Sequence, residues 1–120
     1  YAPTFLDIAG LDTPAEIQGR SLVPLLDGSG KDWRKSLYYA YYELGEHAVP
    51  QHFGVRTQTH KLIYFPQTDE WNLFDLERDP DEMRSVHAEP EYQQAREELA
   101  AEFARLRRHF DAPPFPPRQD

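Results

Sequence analysis

The chain has 120 residues, a length that suits a single domain. Its 13 basic and 21 acidic residues give a net charge of −8, which argues against a nucleic-acid-binding protein because an acidic chain repels phosphate backbones. The absence of cysteine excludes disulfides, thiolate zinc sites and a cysteine nucleophile. No apolar run approaches the roughly 18 residues of a membrane span. Because the chain starts at Tyr1 rather than Met, we expect a piece of a longer protein.

The first part of the chain predicts a short helix and a loop. Pro3 suits a first helical turn, residues 2–10 carry an apolar face, and Gly10 is a suitable stop. A very apolar run at residues 22–26 precedes the flexible Asp-Gly-Ser-Gly segment, which is the best internal boundary. We therefore divide the chain into residues 1–30, residues 31–110 and a Pro-rich mobile tail at residues 111–120.

The middle of the chain predicts a small antiparallel sheet of about four strands. Aromatic and β-branched residues favour strands, and short polar segments such as Gln58 and Thr59 separate them as turns. Tight links between short strands favour antiparallel pairing of neighbours in sequence. The predicted strands are residues 36–44, 53–57, 60–65 and 71–76.

Four tyrosines lie close together on the first predicted strand. Alternation along a strand puts Tyr39 and Tyr41 on one face and Tyr38 and Tyr42 on the other. One face must cover a core, so we expect at least two of the four tyrosines there. The other face offers aromatic rings on which a sugar could stack.

Two helix signals follow the sheet. Asp79, Pro80 and Glu82 combine a capping residue, a proline at the first helical position and an acid at capping-box spacing, which predicts a helix of one or two turns. From about Pro90 onward, apolar residues recur every three or four positions and predict one long helix that covers the sheet. These apolar positions are Tyr92, Ala95, Leu99, Phe103, Leu106 and Phe110. The predicted fold class is α+β.

Histidines and glutamates near the first hairpin are the first candidates for a site. His47, His52 and His60 lie near Glu43 and Glu46, but no His-Glu-x-x-His motif is present, and the spacing gives little support to a metal site. The loop between the first two strands is polar and longer than a hairpin requires. Long polar loops on a rigid sheet commonly carry binding residues. We therefore prefer His47 and His52 as binding candidates.

Arg56 has two open interpretations. It can pair with an acidic residue across the sheet, which is the structural interpretation, or it can face an anion, which is the functional one. No serine has the context of a nucleophile elbow, so a Ser-His-Asp relay finds no support. The residues taken alone therefore predict an α+β domain without a catalytic constellation.

The order of motifs resembles the C-terminal end of the formylglycine-dependent sulfatases, in the N-sulphoglucosamine sulphohydrolase-like part of the arylsulfatase family. Residues 2–11 resemble a helix late in the large domain of the family, and residues 18–28 resemble the loop that follows it. Residues 54–57 with 60–64 resemble the central hairpin of a small C-terminal sheet, and residues 71–82 resemble its last strand and turn. The resemblance extends over nearly the whole chain.

This resemblance implies a small sheet covered by a long helix, beside a large α/β domain that carries the active site. The family hydrolyses sulfate esters or N-sulfates with a formylglycine, made from a Cys/Ser-x-Pro/Ala-x-Arg motif, and a divalent cation, usually calcium. This chain has no such motif. We therefore expect a non-catalytic piece that holds no cofactor of its own and is inactive alone.

The resemblance also implies partners and site residues. The expected partners are the large catalytic domain of the same chain and a sulfated carbohydrate, and the family suggests a periplasmic or extracellular location. Loops of the small domain edge the substrate pocket in sulfatases, so we expect substrate contacts from Glu43, His47, His52 and Arg56. The apolar residues of segment 2–26 resemble a surface that packs on the large domain, and without that domain we expect mobility or self-association there.

A free-standing interaction or carbohydrate-binding module is the alternative hypothesis. Such a module would use the aromatic face of the sheet and would need no upstream enzyme. The residues that precede Tyr1 would separate the two hypotheses, because a sulfatase carries its nucleophile motif far upstream.

Overall fold

The computed structural model describes residues 1–43 and 48–117 and divides into two compact units, Tyr1–Arg34 and Lys35–Asp120. The first unit contains α1 (Ala2–Ile8) and α2 (Val23–Leu26). The second unit contains a four-stranded sheet, then a 3-10 turn (Pro90–Tyr92), then α3 (Gln93–His109). The strands are β1 (Leu37–Tyr41), β2 (His52–Arg56), β3 (His60–Phe65) and β4 (Glu70–Asp75). None of the described helices combines the length and the apolar character that crossing a bilayer requires.

In the first unit, α1 begins and ends where the sequence predicts. Pro3 occupies the start of the helix, and Gly10 follows it with a φ of 69°, the left-handed conformation that glycine adopts without strain. The buried Thr4 hydroxyl accepts a hydrogen bond from the backbone N–H of Leu22 at 2.9 Å, which ties α1 to the start of α2. The apolar run at residues 22–26 forms this second short helix.

The second unit is an antiparallel meander in the order β1-β2-β3-β4. The predicted turn at Gln58 and Thr59 is confirmed, since the N–H of Thr57 donates to the carbonyl of His60 at 2.8 Å. α3 covers one face of the sheet. The residues of the resulting core are Phe53, Val55, Leu62 and Leu73 from the sheet, Tyr92 from the 3-10 turn, and Leu99, Phe103 and Leu106 from α3. The α+β fold class is therefore confirmed.

The tyrosines of β1 divide between the two faces as alternation predicts. Tyr38 faces α3, with its ring centroid 5.8 Å from that of Phe103. Tyr39 lies on the opposite face, which we call the open face because α3 does not cover it. There its ring crosses Gly54, where an added Cβ would meet the ring at 2.4 Å. Gly54 is therefore needed for the close approach of this ring to the sheet.

The predicted short helix at residues 79–82 is wrong, because this segment forms turns. The carboxylate of Asp79 accepts a hydrogen bond from the N–H of Arg84 at 2.8 Å, so it does not cap a helix at Asp81 or Glu82. Glu82 has a φ of 55°, which is incompatible with a right-handed helix. Its carboxylate instead binds Arg56 and Lys61 on the sheet. A tertiary ion pair thus overrides a local helix signal.

The described part of the C-terminal tail contacts the core, and the mobility predicted for residues 111–120 stays a prediction. Phe115 packs against the core, with its ring centroid 4.9 Å from Tyr64 and 5.2 Å from Phe53. The Arg107 guanidinium lies 3.6 Å from the centroid of the Phe115 ring and donates to the carbonyl of Pro113 at 2.6 Å. A cation–π contact and core burial therefore fold the tail back onto the sheet as far as Pro117. Residues 118–120 lie outside the described part.

Candidate functional site

The candidate site lies where β1 ends and β2 begins. Tyr41 and His52 are direct cross-strand partners, and their rings stack with centroids 5.3 Å apart and planes inclined by 22°. The His52 ring also contacts Tyr39 and Phe65, with centroid distances of 5.9 Å in both cases. Three aromatic neighbours on the open face therefore fix the orientation of this imidazole.

The hydrogen bonding of His52 determines what it can offer to a ligand. Nδ1 lies 2.9 Å from the carbonyl oxygen of Pro50, and because a carbonyl only accepts, Nδ1 must carry the proton and donate. In the neutral ring, Nε2 is then an acceptor. A neutral His52 can therefore accept a hydrogen bond from a hydroxyl group, and it donates to a sulfate oxygen only after protonation.

Glu43 lies beside the same ring stack. The Tyr41 hydroxyl donates to the Glu43 carboxylate at 3.2 Å. Burial and this hydrogen bond raise the pKa of Tyr41, so its hydroxyl remains a neutral donor near pH 7. Tyr41 therefore joins Glu43 and His52 into one cluster, which presents carboxylate and imidazole acceptors next to an aromatic ring.

The structure places Arg56 away from this cluster. Arg56 ends β2, four residues and about 13 Å along the strand from His52 at the usual rise per residue. Its guanidinium is 3.0 Å from the Glu82 carboxylate, which also binds Lys61, and its side chain is 49% exposed. These contacts favour the structural interpretation of Arg56, with an acidic partner from the segment after β4 rather than from a neighbouring strand.

The remaining predicted site residue, His47, lies outside the described residues. The structure therefore brings together Glu43 and His52 and separates Arg56 from them. Sequence reasoning did not single out Tyr41 as a site residue and considered it only as one of four tyrosines on the first strand, some of which could offer rings to a sugar. The signal that could identify it is the register of β1 and β2, which makes Tyr41 the partner of His52. That register depends on where the long loop begins and ends.

A cavity of about 360 Å³ lies elsewhere, between the segment after β4 and the 3-10 turn. The cavity is lined by four carboxylates and two guanidinium groups, and Arg78 pairs with Glu91 at 3.2 Å and Arg84 with Glu89. No predicted site residue lines this cavity.

The resemblance implies a divalent cation and a formylglycine, and the described residues do not fit either group. Among residues 1–43 and 48–117, no group of three or more His, Cys, Asp or Glu side chains could hold a metal ion. The sequence has no cysteine and no Ser-x-Pro/Ala-x-Arg motif from which a formylglycine could form. The chemistry that the described candidate site offers is hydrogen bonding and ring stacking, which can bind and orient a ligand.

Comparison with known proteins identifies the family. The family model described as N-sulphoglucosamine sulphohydrolase, C-terminal, matches residues 1–109. The chain belongs to this family. The resemblance inferred from the motifs is thereby confirmed, and the family model covers nearly all of the chain.

Individual relatives agree with the family assignment. The chain is 49% identical over 104 residues to the N-acetylglucosamine-6-O-sulfatase of Bacteroides thetaiotaomicron, a match that covers 82% of this chain and 19% of that protein. It is 33% identical over 95 residues to an arylsulfatase of Clostridium perfringens, covering 77% of this chain and 18% of the arylsulfatase. The chain therefore spans about a fifth of the length of these curated relatives.

The fold is also similar to that of a solved structure. A protein described in complex with its substrate, D-glucosamine-2-N,6-O-disulfate, matches with a TM-score of 0.86 and 43% sequence identity. The match covers 92% of this chain and 23% of the solved chain. The sheet and the long helix therefore have the same arrangement in a protein that binds a sulfated sugar.

Proposed function

We propose that this chain is the non-catalytic C-terminal subdomain of a sulfatase, a sulfuric ester hydrolase that acts on a sulfated sugar. Family membership and the relatives that are sulfatases support this proposal, as does their greater length. In this proposal the nucleophile and the cation lie in the large domain. The chain contributes a surface that packs on that domain and a loop that borders the substrate pocket.

The cluster of Glu43, Tyr41 and His52 is the observation that carries the proposed role of the loop. A carboxylate and a neutral imidazole Nε2 both accept hydrogen bonds, and sugar hydroxyls supply the matching donors. While the histidine is neutral, neither acceptor can donate a hydrogen bond to a sulfate oxygen, and the Glu43 carboxylate repels the negative charge of the sulfate. We therefore assign the cluster to sugar hydroxyls rather than to the sulfate, and we propose that His47 also contributes to substrate binding.

The first unit supports the proposed contact with a large domain. Its helices expose large apolar side chains, with Phe5 67%, Ile8 69% and Leu26 77% exposed. Apolar residues of this size normally lie in a core or an interface. We propose that the large domain covers them in the complete enzyme. Self-association through residues 2–26 stays a prediction for the chain without that domain.

The test compares two substrates in the full-length enzyme. His52→Ala should lower kcat/KM for the sulfated sugar by about 2- to 13-fold, the effect of one lost hydrogen bond to a neutral group, and should leave kcat/KM for a simple aryl sulfate unchanged. His109→Ala is the matched control, because His109 is exposed near the end of α3. Wild-type activity of His52→Ala on the sugar would contradict the proposed role of the loop.

The alternative, a carbohydrate-binding module, finds some support in the aromatic rings on the open face. Tyr39, Tyr41 and Phe65 all surround His52 there. This hypothesis predicts that the isolated chain binds sulfated oligosaccharides in a calorimetric titration. The proposed subdomain role predicts no measurable binding by the isolated chain and no aryl sulfate turnover, with or without calcium.

A further inference from the structure

Gln51 is a buried polar residue at the base of the candidate site. It directly precedes His52 and is only 4% exposed. Its side-chain amide donates to the carbonyl of Tyr42, which directly precedes Glu43. One buried side chain therefore joins the backbone at the two positions next to the candidate ligand-binding residues.

A second amide completes the hydrogen bonding of Gln51. Gln67, in the turn between β3 and β4, donates from Nε2 to the Gln51 Oε1 at 2.8 Å. Because a buried amide that lacks partners is costly, this bond strongly favours the side-chain orientation in which Gln51 donates to Tyr42. Gln67 thus determines which way the Gln51 amide points.

The tail forms the third part of this hydrogen-bond network. Gln67 Nε2 also donates to the carbonyl of Pro117 at 3.2 Å. The tail is itself anchored, since the half-buried Phe115 packs against the core and Arg107 contacts both the Phe115 ring and the carbonyl of Pro113. The folded-back tail is therefore connected through Gln67 and Gln51 to the backbone that carries Glu43 and His52.

We propose that Gln51 is a positioning residue for Glu43 and His52, and that Gln67 and the folded-back tail hold Gln51 in place. This inference rests on the proposed function, because it assumes that Glu43 and His52 contact a sulfated sugar. Gln51 is buried and touches no ligand itself. It acts by holding the carbonyl of Tyr42 and the backbone before His52 in place. The distance between the Glu43 carboxylate and the His52 Nε2 therefore stays constant.

The proposal is tested in the full-length enzyme with Gln51→Leu, which removes both amide bonds at nearly constant volume. We expect kcat/KM for the sulfated sugar to fall by about three- to tenfold through a higher KM, while kcat/KM for an aryl sulfate is unchanged. The aryl sulfate has no sugar hydroxyls for Glu43 and His52 to bind. The ratio of the two kcat/KM values therefore reports the placement of these two residues. A general loss of folded enzyme would not change this ratio.

Gln67→Leu tests the hydrogen bond between Gln67 and Gln51. This variant also keeps the proposal testable if Gln51→Leu does not fold. Gln67 is only half-buried, so the change should be tolerated, and the ratio should move in the same direction by a smaller factor. The double variant should show no more loss than Gln51→Leu alone, because both changes remove the same connection. Gln94→Leu, on the exposed side of α3, is the matched control and should leave the ratio unchanged.

Three results would overturn the proposal. Equal losses on both substrates would show that Gln51 only stabilises the fold. A wild-type substrate ratio in Gln51→Leu and Gln67→Leu would show that Glu43 and His52 keep their positions without these bonds. Losses that add in the double variant would show that the two glutamines act independently. His52→Ala in the same assay separates these results from a failure of the proposed function, which would leave the substrate ratio of His52→Ala at the wild-type value.

Discussion

The two units of the chain differ in how completely each buries its own apolar residues. In Lys35–Asp120, α3 and the tail cover one face of the sheet, and Phe53, Val55, Leu62 and Leu73 are almost fully buried. In Tyr1–Arg34, only Pro3 and Thr4 are buried, and several large apolar side chains, such as Phe5, Ile8 and Leu26, are exposed. Burial of apolar surface drives folding. The second unit therefore has a core of its own. The first unit lacks one, and its exposed apolar side chains are typical of a segment that packs on another domain.

The largest effect that tests this comparison comes from matched phenylalanine substitutions. Phe103→Ala should lower the free energy of unfolding by about 3–5 kcal/mol, because it removes a ring from the centre of the core. Phe5→Ala should lower it by less than about 0.5 kcal/mol, because that ring is exposed. Urea denaturation of the 120-residue chain measures both values. Equal losses would mean that the first unit is as well packed as the second.

Hydrogen exchange sharpens the comparison along the backbone. Amides of β2 and β3 should exchange at least about 100-fold more slowly than amides of α1, because they open only when the core unfolds. Mass spectrometry of a dilute sample measures the difference and avoids self-association. Equal protection in the two units would contradict the view that the first unit lacks a core.

A smaller effect is the pH dependence of the contact between α3 and the start of β1. Glu102 accepts hydrogen bonds from Arg105 at 2.6 and 2.7 Å and from the Ser36 hydroxyl. The Arg105 guanidinium, with the Ser36 bond, lowers the pKa of Glu102 from 4.5 to about 2. A lowered pKa means that this stabilisation is complete above pH 4.5 and is lost as the pH falls toward 2.

Glu102→Gln tests this contribution. At pH 7 the variant should be less stable than the wild type by at most about 1 kcal/mol, because the ion pair is partly exposed. The difference should shrink as the pH falls from 4.5 to 2. Urea midpoints at pH 7 and pH 3 measure the change, and Glu98→Gln on the exposed side of α3 is the control. A difference that stays constant with pH would show that the charge of Glu102 does not contribute.

The candidate site was only partly predictable, for a physical reason that its residues make clear. Glu43 and His52 were identified because they flank a long polar loop, a feature that is visible in the sequence. Tyr41 was not distinguished from the other tyrosines of its strand, because its pairing with His52 depends on strand register. Gln51 was not noticed, because its amide partner lies 16 residues away. Arg56 was ambiguous, since its partner Glu82 belongs to a segment whose local pattern predicts a helix.

By itself the sequence determined the elements that depend on local periodicity and on turn residues. Alternating aromatic residues predicted the strands of the meander, and apolar spacing of three and four predicted α3. Both patterns can be recognised from residue spacing along the chain, because each element repeats its buried face with a fixed period. The motif order also predicted the sulfatase family. Only the tertiary structure decided the turns at residues 79–82, the folded-back tail and the Gln51–Gln67 pair. Each of these depends on partners distant in sequence, whose charge and hydrogen-bonding energies outweigh the local preference of the segment.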